Sequence, residues 1–252
     1  MTQTPRRKDE IWISGYNPVK EVLSTKVVTI KELVLARSDQ RATELKSMAE
    51  ERGIPVHRES PDTISGLVGH THHQGIAVRA GEFRYGVLDA FLQLPMEGRD
   101  LFLVLDCLQD PQNLGALIRS ACFLGAKGLI LPRDRSARIS GTVIKVASGA
   151  TVYLPIIQVT NLAQALERLK KSGLWIVGLD VEAKQSLYEA DLSMPLGLVV
   201  GNEQKGLRPL IRKLCDFLVQ IPSGGPLQSL NAATAGAIAL AEVQRQRKAF
   251  NR

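Results

Sequence analysis

Leu101-Phe-Leu-Val-Leu105 is an unbroken apolar run, and Asp110-Pro-Gln-Asn-Leu-Gly-Ala-Leu-Ile-Arg119 follows it almost directly. A strand buried on both faces reads as continuous apolar sequence, as the strands of parallel sheets do. Similar runs recur downstream: Gly128–Leu131, Val152–Ile157, Leu174–Gly178, Leu196–Val200 and Phe217–Ile221. Helical stretches fall between them, near 113–124, 140–149, 160–172 and 206–214, and a last helix is expected from Ser229 to Phe250. The alternation predicts an open parallel α/β sheet covered on both faces, with ligands at the carboxyl ends of its strands.

Upstream the pattern is shorter. A strand at 31–36, a helix at 39–52, a short strand at Ile54–His57, a helix opened by Ser60-Pro61 and a strand at Gly75–Arg79 make a small α/β unit over 10–80. Residues 81–98 read as a linker carrying a short helix near 87–94 and a loop at Pro95–Asp100, and 99–252 as the second domain.

Composition narrows the classes. The 252 residues are 44% hydrophobic and 23% charged, which is globular and not disordered. No apolar run approaches bilayer length, and no apolar segment backs the basic start Met1-Thr-Gln-Thr-Pro-Arg-Arg-Lys8. Cys107, Cys122 and Cys215 form no Cys-x-x-Cys and read as buried free thiols of a reducing cytoplasm. The four histidines lack metal-ligand spacing, so no metal is expected. The net charge of +7 and a pI near 9.4 favour a polyanionic partner. Arg119, Lys127, Arg133, Arg135, Arg138 and Lys145 gather the local density that phosphate contacts need, against Asp134 alone.

Three constellations stand at strand ends. In the first, Asn113 is placed to cap a helix, Gly115 permits close backbone approach, and Arg119 lies six residues on. The second, Val199-Val-Gly-Asn-Glu-Gln-Lys-Gly-Leu207, sets Gly201, Asn202 and Glu203 where a buried strand ends. It lacks the Lys-Ser/Thr pair of a nucleotide-binding P-loop, and the chain has no Gly-x-Gly-x-x-Gly. The third is Val219-Gln-Ile-Pro-Ser-Gly-Gly-Pro-Leu-Gln-Ser-Leu-Asn231. There Ser229 is placed to cap a final helix whose small residues suit tight packing, in a core or at an interface.

In this order the three resemble the signature motifs of the SpoU family of RNA ribose 2′-O-methyltransferases. The resemblance covers 99–252, and 11–80 resembles the family's RNA-binding extension. Arg133-Asp-Arg-Ser136 and the tail Glu242–Arg247 bring it nearest the subgroup acting on a guanosine of large-subunit ribosomal RNA. The resemblance implies a knotted (trefoil, SPOUT-type) parallel-sheet methyltransferase domain behind a small α/β RNA-binding domain. It implies S-adenosylmethionine as cofactor, held largely by main-chain groups at Gly201 and Asn202 and at Ile221, Pro222 and Leu230. It makes Asn113, Arg119, Glu203, Ser229 and Asn231 the reactive positions. It also implies a homodimer through the knotted domain, with Arg119 serving its own or the partner's site.

Three positions depart from that subgroup: Asn202 replaces an alanine, Ser223 a methionine, and Ala-Ala-Thr-Ala follows Asn231 in place of a Val-Ser-Val-like run. Three other readings stay open at this point. The same chemistry could act on transfer RNA, or on a ribosomal site as antibiotic resistance. An RNA-binding protein without catalysis is the alternative of another class.

Overall fold

The computed structural model describes residues 11–25, 28–93 and 98–249. The extreme N-terminus and much of the loop expected at 95–100 lie outside them. The chain divides into two units. One runs up to Arg84 and includes Ile139–Val152; the other is Tyr85–Arg138 with the chain from Tyr153 on. Ile139–Val152 thus groups with the first unit, although it lies inside the stretch read from sequence as the second domain.

The first unit is built from β1 (Ile11–Ser14), α1 (Tyr16–Ser24), β2 (Ile30–Leu35), α2 (Gln40–Glu51), β3 (Val56–Arg58), α3 (Pro61–Val68) and β4 (Ile76–Ala80). Its sheet has the order β1-β4-β2-β3, with β4 antiparallel to both β1 and β2, and β3 parallel to β2. Asp39 and Ser60 cap α2 and α3 through their side chains, as Asp and Ser do at this position. The sequence reading missed β1 and α1. They meet at Gly15, whose φ of 93° lets the strand turn at once into the helix.

The second part of the chain adds α4 (Leu88–Leu92), β5 (Leu101–Leu105), α5 (Pro111–Phe123), β6 (Gly128–Pro132), α6 (Gly141–Val146) and β7 (Ile156–Val159). It continues with α7 (Leu162–Lys171), β8 (Trp175–Leu179), β9 (Gln185–Ser186), β10 (Leu196–Val200), α8 (Pro209–Leu214), β11 (Phe217–Gln220) and α9 (Ala232–Ala249). Of these, α6 belongs to the first unit. The seven strands run in the order β7-β6-β5-β10-β8-β11-β9, every pair parallel. The expected class, α/β with a parallel sheet behind a small N-terminal α/β domain, is the one observed.

Burial explains the legibility of this sheet. All five residues of β5, β6 and β10 are buried. On one face Phe102, Val104, Ile176 and Val199 pack with Leu162, Leu166 and Leu169 of α7 and Ile211 of α8. On the other, α9 lies so near α5 that a Cβ on Gly236 would stand 2.4 Å from Leu117 Cδ2. The small residues at that point of the last helix therefore serve packing within the chain.

Two local expectations are corrected. Residues 152–157 are not one strand: a 3₁₀ turn, Ala150–Val152, precedes β7 at Ile156. The last helix begins at Ala232, three residues after the expected start.

Candidate active site

The strand ends bring two loops together. At the end of β5, Asp106 is fully buried and Cys107 adopts a left-handed φ of 61°. Such a conformation is uncommon for a residue with a Cβ and marks a constrained turn. The chain then reaches Asp110, whose side chain accepts the Gln112 N–H at 2.9 Å and so caps α5. Asn113, the expected cap, sits instead within the first turn. Pro111 explains the correction, because proline favours the first helical position and leaves the cap to the residue before it.

The second loop leaves β10 through Gly201. A Cβ there would stand 2.3 Å from the carbonyl carbon of Gly206, so only glycine lets the two backbones meet. The turn 202–206 is closed by Asn202 N–H to Gly206 O (3.0 Å) and Gly206 N–H to Asn202 O (2.9 Å). Glu203 projects from it toward the first loop. Its Oε1 accepts the Asp110 N–H and the Asn113 side-chain amide, both at 3.3 Å, and its Oε2 accepts the Asn202 amide at 3.2 Å.

The third loop, 221–231, follows β11. Ser223 Oγ donates to the Leu227 carbonyl at 2.7 Å and accepts the Gly225 N–H at 3.3 Å, knitting the loop together. Asn231 Oδ1 accepts the Thr234 N–H at 2.7 Å. Asn231 therefore caps α9, and Ser229, expected in that role, stays in the loop.

The second and third loops, with residues 179–182 after β8, enclose a cleft of about 660 Å³ at the carboxyl ends of β8, β10 and β11. Gly201, Asn202, Glu203, Ile221, Pro222, Ser229 and Leu230 all line it. Leu227 and Leu230 are 76% and 47% exposed, so the wall presents apolar side chains to whatever enters. Arg212, which also lines the cleft, pairs with Asp180 and Glu182, both at 3.0 Å. Asn113 reaches the cleft through Glu203. Arg119 is exposed on α5; ideal helix geometry puts it about 9 Å beyond Asn113 and about 120° round the axis.

Sequence reasoning missed one part of this frame. The Asp106 carboxylate accepts the Arg208 backbone N–H at 2.8 Å and its Nε–H at 2.6 Å. It thereby fixes where the turn 201–206 rejoins the fold and where α8 begins. The only signal was an acid directly after an apolar strand. No group of three or more His, Cys, Asp or Glu side chains among the described residues could hold a metal. None of the described helices is long and apolar enough to cross a membrane.

The sequence profile of the SpoU rRNA Methylase family matches residues 100–241, which contain all three loops. The chain belongs to the SpoU family. A second profile, RNA 2′-O ribose methyltransferase substrate binding, matches 12–86. Among SpoU relatives, the 23S rRNA (guanosine-2′-O-)-methyltransferase RlmB of Xanthomonas campestris pv. campestris is 39% identical over 95% of this chain and 98% of its own. The protein of that name from Ralstonia nicotianae is 40% identical over 92% of this chain and 94% of its own. Among solved SpoU structures, AviRb from Streptomyces viridochromogenes in complex with AdoMet superposes with a TM-score of 0.81. It is 26% identical and covers 96% of this chain and 92% of that one.

Proposed function

We propose that this protein transfers a methyl group from S-adenosylmethionine to the ribose 2′-hydroxyl of a guanosine in 23S ribosomal RNA. The observation that carries the reading is the convergence of the motif loops. Asn113 and Glu203, 90 residues apart, are hydrogen-bonded beside a cleft lined by the second and third motifs. The RlmB relatives, alike over nearly their whole length, support the ribosomal substrate and the guanosine.

The cleft suits the cofactor on its own terms. A nucleoside needs an apolar slot with main-chain donors and acceptors, and Leu227, Leu230 and the bare backbone at Gly201 supply both. Gly201, Ile221, Pro222 and Leu230 would hold it. When bound, the cofactor would supply an electrophilic sulfonium methyl carbon open to in-line attack by the 2′-oxygen, with the C–S bond breaking and the neutral thioether S-adenosylhomocysteine leaving. Glu203, tethered on both oxygens, takes the hydroxyl proton. Arg119 engages the ribose-phosphate and stabilises the developing alkoxide, since a guanidinium does not give up its proton at accessible pH. Ser229 and Asn231 shape the loop around the reacting centre.

On this reading 10–80 grips RNA, 81–98 links, and 99–252, apart from the segment 139–152 that groups with the first unit, is the knotted methyltransferase. Two copies pair through that second domain. Phe123, 87% exposed and one helical turn after Arg119 on α5, supports such a contact. The enzyme works in the cytoplasm, where its three free cysteines stay reduced.

The test is methyl transfer. Purified protein, S-adenosylmethionine and total RNA from cells lacking the enzyme are incubated, and ribose methylation is mapped by mass spectrometry. One new 2′-O-methylguanosine in large-subunit RNA is expected. A methylated transfer RNA overturns the substrate but keeps the chemistry. No transfer, with no cofactor binding by calorimetry, leaves an RNA-binding protein.

A further inference from the structure

Asn202 lines the cleft, yet its side chain is fully engaged elsewhere. A carboxamide offers two N–H donors and two lone pairs on oxygen. Asn202 Nδ2 donates to the Cys107 carbonyl at 2.9 Å and to Glu203 Oε2 at 3.2 Å. Its Oδ1 accepts the backbone N–H of Gln204 at 2.9 Å and of Lys205 at 3.3 Å. All four positions are used, and the two backbone donors fix which end of the amide is oxygen. The Asn202 side chain has no remaining capacity for a ligand, and its main-chain N–H and C=O are paired with Gly206.

We propose that Asn202 is a positioning residue for Glu203 and not a contact of the cofactor. The inference rests on the methyltransferase reading above. The acceptor half of the amide builds the turn. The donor half crosses to the first loop, where the left-handed Cys107 holds its carbonyl in place, and steadies one oxygen of the Glu203 carboxylate. The other oxygen is held by Asp110 and Asn113. A carboxylate fixed at both oxygens keeps one approach to a hydroxyl, whereas one fixed at a single oxygen rotates about its last bond. Loss of such alignment lowers the turnover rate without lowering ground-state affinity.

The two halves can be separated by substitution. Asn202→Asp retains an oxygen to accept Gln204 and Lys205, but cannot donate and sets a second negative charge beside Glu203. Asn202→Ala loses both halves. A role confined to the turn predicts that N202D resembles the native protein while N202A fails. The positioning role predicts that kcat falls in both, on the order of tenfold to a hundredfold, with N202D no better than N202A. The Kd for S-adenosylmethionine, measured by calorimetry on the full chain, stays within about threefold in both.

A double-mutant cycle adds a readout that a purely structural residue would not move. Against a Glu203→Ala background, Asn202→Ala should change residual kcat less than about twofold, because the group it positions is gone. A raised Kd with kcat preserved at saturating cofactor overturns the inference and makes Asn202 a cofactor contact. Full additivity in the cycle also overturns it. Absence of transfer by the native protein on every RNA tried sinks the functional reading instead. Thermal melts identify unfolding, and N202D then carries the comparison alone if N202A unfolds.

Discussion

Asn113 donates its side-chain amide to Glu203 Oε1 at 3.3 Å, joining the first turn of α5 to the turn after β10. If Glu203 takes the ribose proton, removing its charge matters more than removing its tether. Glu203→Gln should lower kcat by on the order of a hundredfold or more, and Asn113→Ala by about tenfold. Single-turnover methylation of the RNA at saturating cofactor checks both. Equal effects would mean that the carboxylate is structural.

Arg119→Lys tests recognition geometry. Lysine keeps the charge but loses the planar fork that grips a phosphate or ribose oxygen. Transfer should fall at least about tenfold in R119K, nearly as far as in R119A, with cofactor affinity unchanged. Native turnover in R119K would reduce the role of Arg119 to charge alone.

Gly201→Ala pushes a methyl group against backbone, because the nearest atoms are Gly206 C at 2.3 Å and Leu207 N at 2.5 Å. Backbone cannot yield as a side-chain tip does. The substitution should cost about 1–3 kcal/mol of stability and weaken S-adenosylmethionine binding at least about tenfold by calorimetry. Undisturbed binding would show that the turn adapts.

Arg247 ties the end of α9 to the sheet. It is 5% exposed and donates to the carbonyls of Arg99 (2.6 Å), Asp100 (3.3 Å) and Met194 (2.9 Å). Arg247→Ala leaves these carbonyls without that donor and opens a void, so about 2–5 kcal/mol should be lost in urea unfolding. Cofactor affinity of the folded fraction should be unchanged.

Burial pushes the Cys215 thiol up from its ordinary 9.0 to about 12. Its sulfur donates to the Ile211 carbonyl at 3.3 Å and packs beside Gly178. Unfolded chains release this proton near pH 9, while folded ones keep it to about 12. The contribution to stability is therefore complete below pH 9 and is lost as pH rises toward 12. Unfolding midpoints of Cys215→Ala should fall less steeply over this window than those of the native chain. Parallel slopes would refute the assignment.

What could be read from the sequence was what repeats locally. The strands β5, β6, β8, β10 and β11 announced themselves as apolar runs, and the motif loops followed from their ends. Asp110 as cap is legible from Pro111, because proline at the first helical position leaves the cap to the residue before it. The choice of Asn231 over Ser229 depended on the loop from 221, whose Ser223 bonds no pattern reveals. The two polar residues of β9 carry no strand signature. Asp106 with Arg208 and Arg247 with Arg99 join residues 102 and 148 positions apart, and no periodicity links such pairs. Those contacts appear only once the chain is folded.

The register Leu101↔Leu196 has a consequence for how this chain is made. Strand β5 ends in the middle of the sheet, but its neighbour β10 is translated 95 residues later. At ribosomal speeds of about 5–20 residues per second, that is an interval of roughly 5–20 s. Until then the future centre of the domain is an open border, apolar on both sides and unpaired along one of them. Edges of that kind invite pairing with other nascent chains. The arrangement that buries β5 so completely in the finished fold makes its newborn form dependent on protection from its neighbours.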